Sequence, residues 1–110
     1  MLAIPGNARF FICHYPVNMR KSFEGLSGIV EQLFPGELLS GALFIFLNRK
    51  RDLIKILSWD DDGLTIWFKR LEKGSFIWKW GSKNQLDRRE LLMLLEGIAP
   101  KRLQMRYRIV

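Results

Sequence analysis

Hydrophobic positions recur along this chain at two different spacings, and the change of spacing divides it into elements. Residues 9–15 are rich in aromatic and β-branched side chains and end before a proline, which predicts a first strand. Apolar residues at steps of three and four then run from Phe23 to Phe34 and predict one amphipathic helix, for which Asn18 is a candidate cap. A Pro-Gly pair ends this pattern.

The spacing changes to two in the middle of the chain. Clusters of turn-forming residues divide this segment into four predicted strands, at residues 42–48, 53–59, 64–70 and 75–80. The connections are short enough to join antiparallel neighbours, so we expect the four strands to form a meander. In the third of them Leu64, Ile66 and Phe68 share one face, which we expect to be the core face.

A second helix is predicted after Asp87, because Glu90 follows three residues later as in a capping box and several leucines come next. Gly97 and Pro100 are expected to end it. The order strand, helix, four strands, helix is typical of an α+β domain, with two helices packed on a mostly antiparallel sheet. We expect one such domain over residues 1–99, followed by a basic tail over residues 100–110.

The 110 residues allow one domain, and the balance of charge indicates which kinds of partner it binds. There are 18 Lys and Arg residues against 11 Asp and Glu, a net charge of +7. Residues 64–110 hold 11 of the basic and 4 of the acidic residues, and therefore carry the whole excess. This balance indicates a polyanionic partner, nucleic acid first and an acidic membrane or protein second. The tail is equally well interpreted as a binding arm or as a solvated terminus.

Cysteine content and hydropathy indicate an intracellular protein. The single cysteine, Cys13, excludes an intramolecular disulfide, and a structural zinc site needs about four Cys or His ligands. The longest hydrophobic run, residues 42–47, is far shorter than the roughly 20 residues of a membrane span. We expect a cytoplasmic protein that uses no cofactor.

Candidate catalytic residues are few, and we expect the protein not to be an enzyme. His14 follows Cys13 on a predicted strand, where neighbouring side chains point to opposite faces and cannot easily form a nucleophile and base pair. The run Asp60, Asp61 and Asp62 could hold Mg²⁺, but an Asp-Gly step between two strands more often forms a hairpin turn. No glycine-rich phosphate loop is present.

Basic residues interleaved with aromatics are the stronger signal. Such a surface neutralises phosphates and offers rings to bases, although tryptophans more often pack in a core. The residues concerned are Lys55, Trp59, Trp67, Lys69, Arg70, Trp78, Lys79 and Trp80.

Two basic clusters stand outside that group. Arg49, Lys50 and Arg51 lie at a predicted hairpin tip, where they either contact phosphates or solvate the turn. Arg20 and Lys21 are expected in the first turn of the first helix, where cations oppose the helix dipole unless an anion is bound there.

Several strings resemble a known family. Residues 16–26 read PVNMRKSFEGL, similar to the family opening P-x-D-M-R-K-x-x-x-G-L, and residues 43–57 are similar to its L-F-V-F-x-N-R-R-x-D-x-I-K-x-L. Residues 59–64 and 67–76 resemble its W-D-x-D-G and W-x-K-R-L-E-x-G-x-F. The chain thus resembles, over residues 10–97, the short accessory proteins of the sixty-six type of bacterial insertion sequences, called TnpB or second-open-reading-frame-like. These are unrelated to the longer RNA-guided nuclease of the same name.

The resemblance implies a role in transposition beside a separate transposase, without enzymatic activity. Two positions depart from the family: Asn18 stands where Asp is usual, and Arg51 where Gly is common. The basic tail lies outside the matched strings.

The sequence therefore predicts a non-enzymatic accessory protein that binds DNA or a transposase–DNA complex. The alternative is a protein–protein adaptor that docks on the transposase through exposed Trp and Leu side chains, without direct DNA contact. The predicted contact residues are Arg20, Lys21, Arg49, Lys50, Arg51, Lys69 and Arg70.

Overall fold

A computed structural model describes residues 2–97 of the chain. Its elements in chain order are β1 (Phe10–Ile12), α1 (Phe23–Leu33), β2 (Leu43–Leu47), β3 (Leu53–Asp60), β4 (Gly63–Arg70), β5 (Gln85–Leu86) and α2 (Arg88–Leu95). Pro100 and the predicted basic tail lie outside the described residues. Neither helix in this range has the length and apolar character needed to cross a lipid bilayer.

The five strands form one sheet in the order β4-β3-β2-β1-β5. β1 and β2 are parallel, because α1 lies between them in the chain and returns it to the same end of the sheet. The other three pairings are antiparallel, and β2, β3 and β4 form a meander. The predicted α+β class and the order of elements are confirmed.

Each helix covers a different face of the sheet, so the central strands are buried on both sides. α1 covers a core that contains Phe11, Cys13, Val17, Leu26, Ile29, Val30, Phe34, Ala42, Phe44, Phe46 and Leu57. α2 and residues near it cover a second core, of Phe10, Ile12, Leu43, Ile45, Leu47, Ile54, Ile56, Phe76, Leu86, Leu91 and Leu94. This explains why β2 reads as an unbroken apolar run, Leu-Phe-Ile-Phe-Leu.

The predicted strand at residues 75–80 is wrong. This segment has no strand structure, and the fifth strand comes later, at Gln85–Leu86, where it pairs with β1. Phe76 is fully buried, and Trp78 and Trp80 pack against the α2-side core. The alternation of residues 75–80 therefore reflects side chains laid over the sheet face and not a strand within it.

The predicted core face of β4 is also only partly right. Leu64 and Ile66 do pack on the α1-side core, but Phe68 on the same face is 53% exposed. Trp67, on the opposite face of the strand, packs against the α2-side core. β4 is an edge strand, and neither of its faces carries a fully buried residue.

The two helices begin in different ways. At α2, the Asp87 side chain accepts from Glu90 N–H at 2.7 Å and the Glu90 side chain accepts from Asp87 N–H at 3.0 Å, which confirms the predicted capping box. α1 begins after Ser22, whose side chain makes no capping hydrogen bond. The interpretation of Asn18 as the helix cap is therefore wrong.

Gly28 offers a test of the α1 assignment. It lies in the exposed part of the helix, and a Cβ placed there meets nothing within 4 Å. We expect Gly28→Ala to raise the free energy of unfolding by about 1 kcal/mol, since alanine is the better helix former. Gly25→Ala should stabilise less, because its Cβ would lie 3.1 Å from the Lys21 Cβ. Chemical denaturation of both variants checks this, and equal effects would contradict the Lys21 contact.

Candidate functional site

Two segments that are distant in sequence meet at one end of the sheet and form an open groove. One is the stretch that leads into α1, and the other is the turn between β2 and β3. The groove has a volume of about 790 Å³ and is lined by Pro16, Val17, Asn18, Met19, Arg20, Asn48, Arg49, Lys50, Asp52 and Leu53. We call it the cationic groove.

The segment before α1 is fixed to the sheet by its backbone. Val17 is buried, and its N–H donates to Leu47 O at 2.9 Å, which extends the contact with β2. The side-chain oxygen of Asn18 accepts from Arg20 N–H at 2.8 Å, and the backbone carbonyl of Asn18 accepts from Lys21 N–H at 3.1 Å. Asn18 therefore organises a turn that presents Arg20, a role typical of asparagine.

Arg20 and Lys21 lie in this turn and precede the helix, which begins at Phe23. The expectation that they occupy its first turn is wrong, and so is the electrostatic argument built on it. Both side chains are exposed, but only Arg20 lines the cationic groove. The Lys21 side chain instead lies against Gly25 of α1.

The turn between β2 and β3 depends on Asn48. Its side chain donates to the Asp52 carboxylate at 2.7 Å and accepts from Leu53 N–H at 3.0 Å. The backbone carbonyl of Asn48 accepts from Arg51 N–H at 3.0 Å. These bonds close the turn and leave Arg49 and Lys50 exposed at its tip.

Arg51 is separated from its two basic neighbours. Its φ of 59° lies in the left-handed region, which glycine adopts without cost and which explains why glycine suits this position. The guanidinium donates to Trp78 O at 2.5 Å, and Arg51 O accepts from Phe76 N–H at 2.6 Å. Arg51 thus ties the turn to the segment that covers the α2-side core.

Lys55 is a buried residue that sequence reasoning placed among the phosphate-binding candidates. It is 8% exposed, and its Nζ donates to Met19 O and to Lys21 O at 2.8 Å each. The ammonium also lies 4.9 Å from the centre of the Phe68 ring. Lys55 therefore holds the segment that carries Arg20 and is not available to a ligand.

The remaining predicted contact residues, Lys69 and Arg70, do not line the groove. Lys69 lies next to Leu71, Lys73 and Leu95 at another cavity, on the α2 side of the sheet. Arg70 is paired with Leu53 across β4 and β3, close to the end of the groove. Trp67, Trp78 and Trp80 pack against the α2-side core, so these three tryptophans do not form a common platform with the groove cations.

The groove carries mainly positive charge. Arg20, Arg49 and Lys50 contribute three cations, and Asp52 is the acidic residue among the ten that line it. Within residues 2–97, no group of three or more His, Cys, Asp and Glu residues is placed to hold a metal ion. Asp61 and Asp62 form the tight connection from β3 to β4, with Asp61 at φ 52°.

The Cys13 thiol is buried, whereas the neighbouring His14 is exposed. It is 1% exposed, and burial raises its pKa, so that the neutral thiol is the form present near neutral pH. His14 is exposed, but β1 ends at Ile12 and His14 lies in a bend, so the expectation that both residues belong to the strand is wrong.

These features define a small α+β domain, covered on both faces of its sheet, with a cationic groove at one end. The chain belongs to the IS66 Orf2-like family of insertion-sequence accessory proteins, because the family described as "IS66 Orf2 like protein" matches residues 8–105. The match includes residues 100–105, so the expectation that the whole tail lies outside the family is wrong.

Two proteins of Sinorhizobium fredii are similar to the chain. Uncharacterized protein y4hO is 32% identical over 100 residues, which cover 89% of this chain and 87% of y4hO. Uncharacterized protein y4jC is 29% identical over 69 residues, or 63% of this chain and 59% of y4jC. No solved structure matches the chain.

Proposed function

We propose that this protein supports transposition of its insertion sequence by binding DNA, or a transposase–DNA complex, through the cationic groove, without an enzymatic activity of its own. Its place of action would be the bacterial cytoplasm, where its DNA partner lies. The observation that supports the proposal is the meeting of Arg20, Arg49 and Lys50 at one groove. These cations come from two segments that are about thirty residues apart in the sequence and that both carry the family resemblance.

The groove suits a phosphate backbone better than a base edge. Arg20 is held by a turn and by the anchoring of Lys55, and the tip of the β2–β3 turn is closed by Asn48. Cations fixed in this way give position and affinity, whereas sequence is read through base edges and DNA shape. We therefore expect affinity that depends strongly on salt and little on sequence.

The adaptor function remains a second candidate, and a specific observation favours it. Phe23 and Phe68 are exposed by 45% and 53%, and both lie at the α1 side of the sheet. Large exposed aromatics are common at protein interfaces. The tryptophans, by contrast, are all at least partly buried, so an adaptor surface would use these phenylalanines.

Fluorescence anisotropy tests the DNA hypothesis. The protein is titrated into a duplex from an end of the element and into a scrambled duplex, over a series of salt concentrations. Three phosphate contacts predict a slope of log affinity against log salt of about −2.7. Similar affinities for the two duplexes are expected for a backbone contact.

Absence of binding to either duplex at low salt would contradict direct binding to free DNA. Co-purification with the transposase after nuclease treatment would then support the adaptor. Retention that disappears with nuclease treatment would instead support a joint complex on DNA.

A further inference from the structure

The two edges of the sheet differ in length. β5 lies at one edge and has two residues, whereas β4 lies at the other and has eight. Short edge strands protect a sheet from pairing with other chains, and long ones favour such pairing. Among the strands of residues 2–97, none covers the outer edge of β4.

The backbone of β4 presents a regular set of hydrogen-bonding groups at this open edge. Leu71 N–H donates to Asp52 O at 2.8 Å, so the odd-numbered positions along this strand face β3. The register with β3 runs without a bulge over the whole strand. The N–H and C=O groups that point outward are therefore those of Leu64, Ile66, Phe68 and Arg70.

The middle of β4 lacks the features that usually block an edge. It contains no proline, and residues 64–68 are uncharged. Phe68 is 53% exposed on the α1 side, beside the half-buried Ile66. An additional strand would cover this apolar side chain and satisfy the outward backbone groups.

The two ends of β4 carry opposite charge. Asp60, Asp61 and Asp62 directly precede β4, and Lys69 and Arg70 are its last two residues. Arg70 has a weak ionic contact with Glu72, at 3.8 Å between two side chains that are 71% and 85% exposed. When such a strand pairs antiparallel with a copy of itself, the acidic start of each lies beside the basic end of the other.

We propose that β4 pairs antiparallel with β4 of a second copy of this chain, which joins the two sheets into one across a two-fold axis. In the register centred on Ile66, Phe68 faces Leu64 of the second copy and Arg70 faces its Asp62. A second copy is the occupant that best fits, because it supplies a strand of the same length with the complementary order of charges. The axis is perpendicular to the sheet, and each cationic groove lies at the Arg70 end of its own β4, so the two grooves lie at opposite ends of the joined sheet.

Sedimentation velocity of the full-length protein without DNA, over a wide range of concentration, tests this proposal. We expect a monomer–dimer equilibrium. R70D and D62R should each raise the dimer dissociation constant about tenfold or more, because each places like charges together twice. The double variant D62R/R70D restores opposite charges and should restore dimerisation. K73D makes the same charge change as R70D away from the edge and should have no effect.

A backbone substitution provides an independent measurement. F68P removes an N–H that points to the open edge and leaves the bonds to β3 intact, so it should abolish the dimer while the protein stays folded. F68A keeps that N–H and should weaken the dimer less. Thermal melting verifies that both variants are folded.

Two outcomes would overturn the proposal. One is a protein that is monomeric at every concentration, and the other is a dimer that R70D and F68P leave unchanged. Because no DNA is present, these results are independent of whether the cationic groove binds DNA.

Discussion

Reversal of the two cations at the tip of the β2–β3 turn, R49E/K50E, should lower affinity for duplex DNA on the order of 100-fold and reduce the salt slope by about 1.8. Both side chains are exposed and line the cationic groove. Each reversal removes one phosphate contact and places a carboxylate where the phosphate would lie. The melting temperature should stay nearly unchanged, because neither side chain has a structural contact comparable to that of Arg51.

The matched control is K69E/K73E, which changes the net charge by the same amount on the α2 side of the sheet. It should reduce affinity only slightly, through the general field of the protein. Equal losses for the two double variants would show that total charge, and not the groove, determines binding. Arg51 is left unchanged in both, since it bonds to the backbone at Trp78 and its loss would confound stability with binding.

The elements that the sequence predicted well are those that local chemistry determines. The capping box at Asp87 and Glu90 depends on two side chains three residues apart, and the structure contains both of its hydrogen bonds. The tight turn at Asp61 and Asp62 likewise needs only its own residues. Local signals of this kind are complete in a short stretch of sequence.

The strand predicted at residues 75–80 was wrong because pairing depends on distant partners. Phe76, Trp78 and Trp80 recur every second residue, as in a strand with one buried face. An extended segment that packs across the face of a sheet shows the same alternation of buried and exposed side chains, so the pattern does not distinguish it from a strand. The packing of these side chains on the α2-side core and the bonds of Arg51 to Trp78 and Phe76 show that the segment lies over the sheet, and nothing in the sequence indicates these contacts.

In the candidate site, too, some features follow from local sequence and others depend on distant contacts. Exposed cations at Arg49 and Lys50 could be predicted from a turn rich in basic residues, and the structure places them at its tip. Their meeting with Arg20 could not be predicted, since it depends on how the segment before α1 is bonded to β2 and to Lys55. The different roles of Arg51 and Lys55 also depend on three-dimensional contacts, although by composition they resemble their basic neighbours.

Replacement of Lys55 by methionine should affect both the fold and the site. K55M preserves most of the side-chain volume but removes the ammonium that binds Met19 O and Lys21 O. Losing two charge-assisted hydrogen bonds at an 8% exposed position is expected to lower the free energy of unfolding by about 2–4 kcal/mol. For a domain of this size that corresponds to a fall of roughly 10–20 °C in melting temperature.

The loss of stability in K55M should be concentrated at the cationic groove. Without Lys55, the turn that presents Arg20 is joined to the sheet mainly through the Val17 N–H bond to Leu47, so the amides of Val17 and Lys21 should exchange hydrogen faster. K69M, an exposed neighbour on β4, provides the matched control and should change stability by less than about 0.5 kcal/mol. If K55M changed the free energy of unfolding as little as K69M, we would infer that water can hydrogen-bond to the two carbonyls. The position of Arg20 would then depend on the Asn18 side chain.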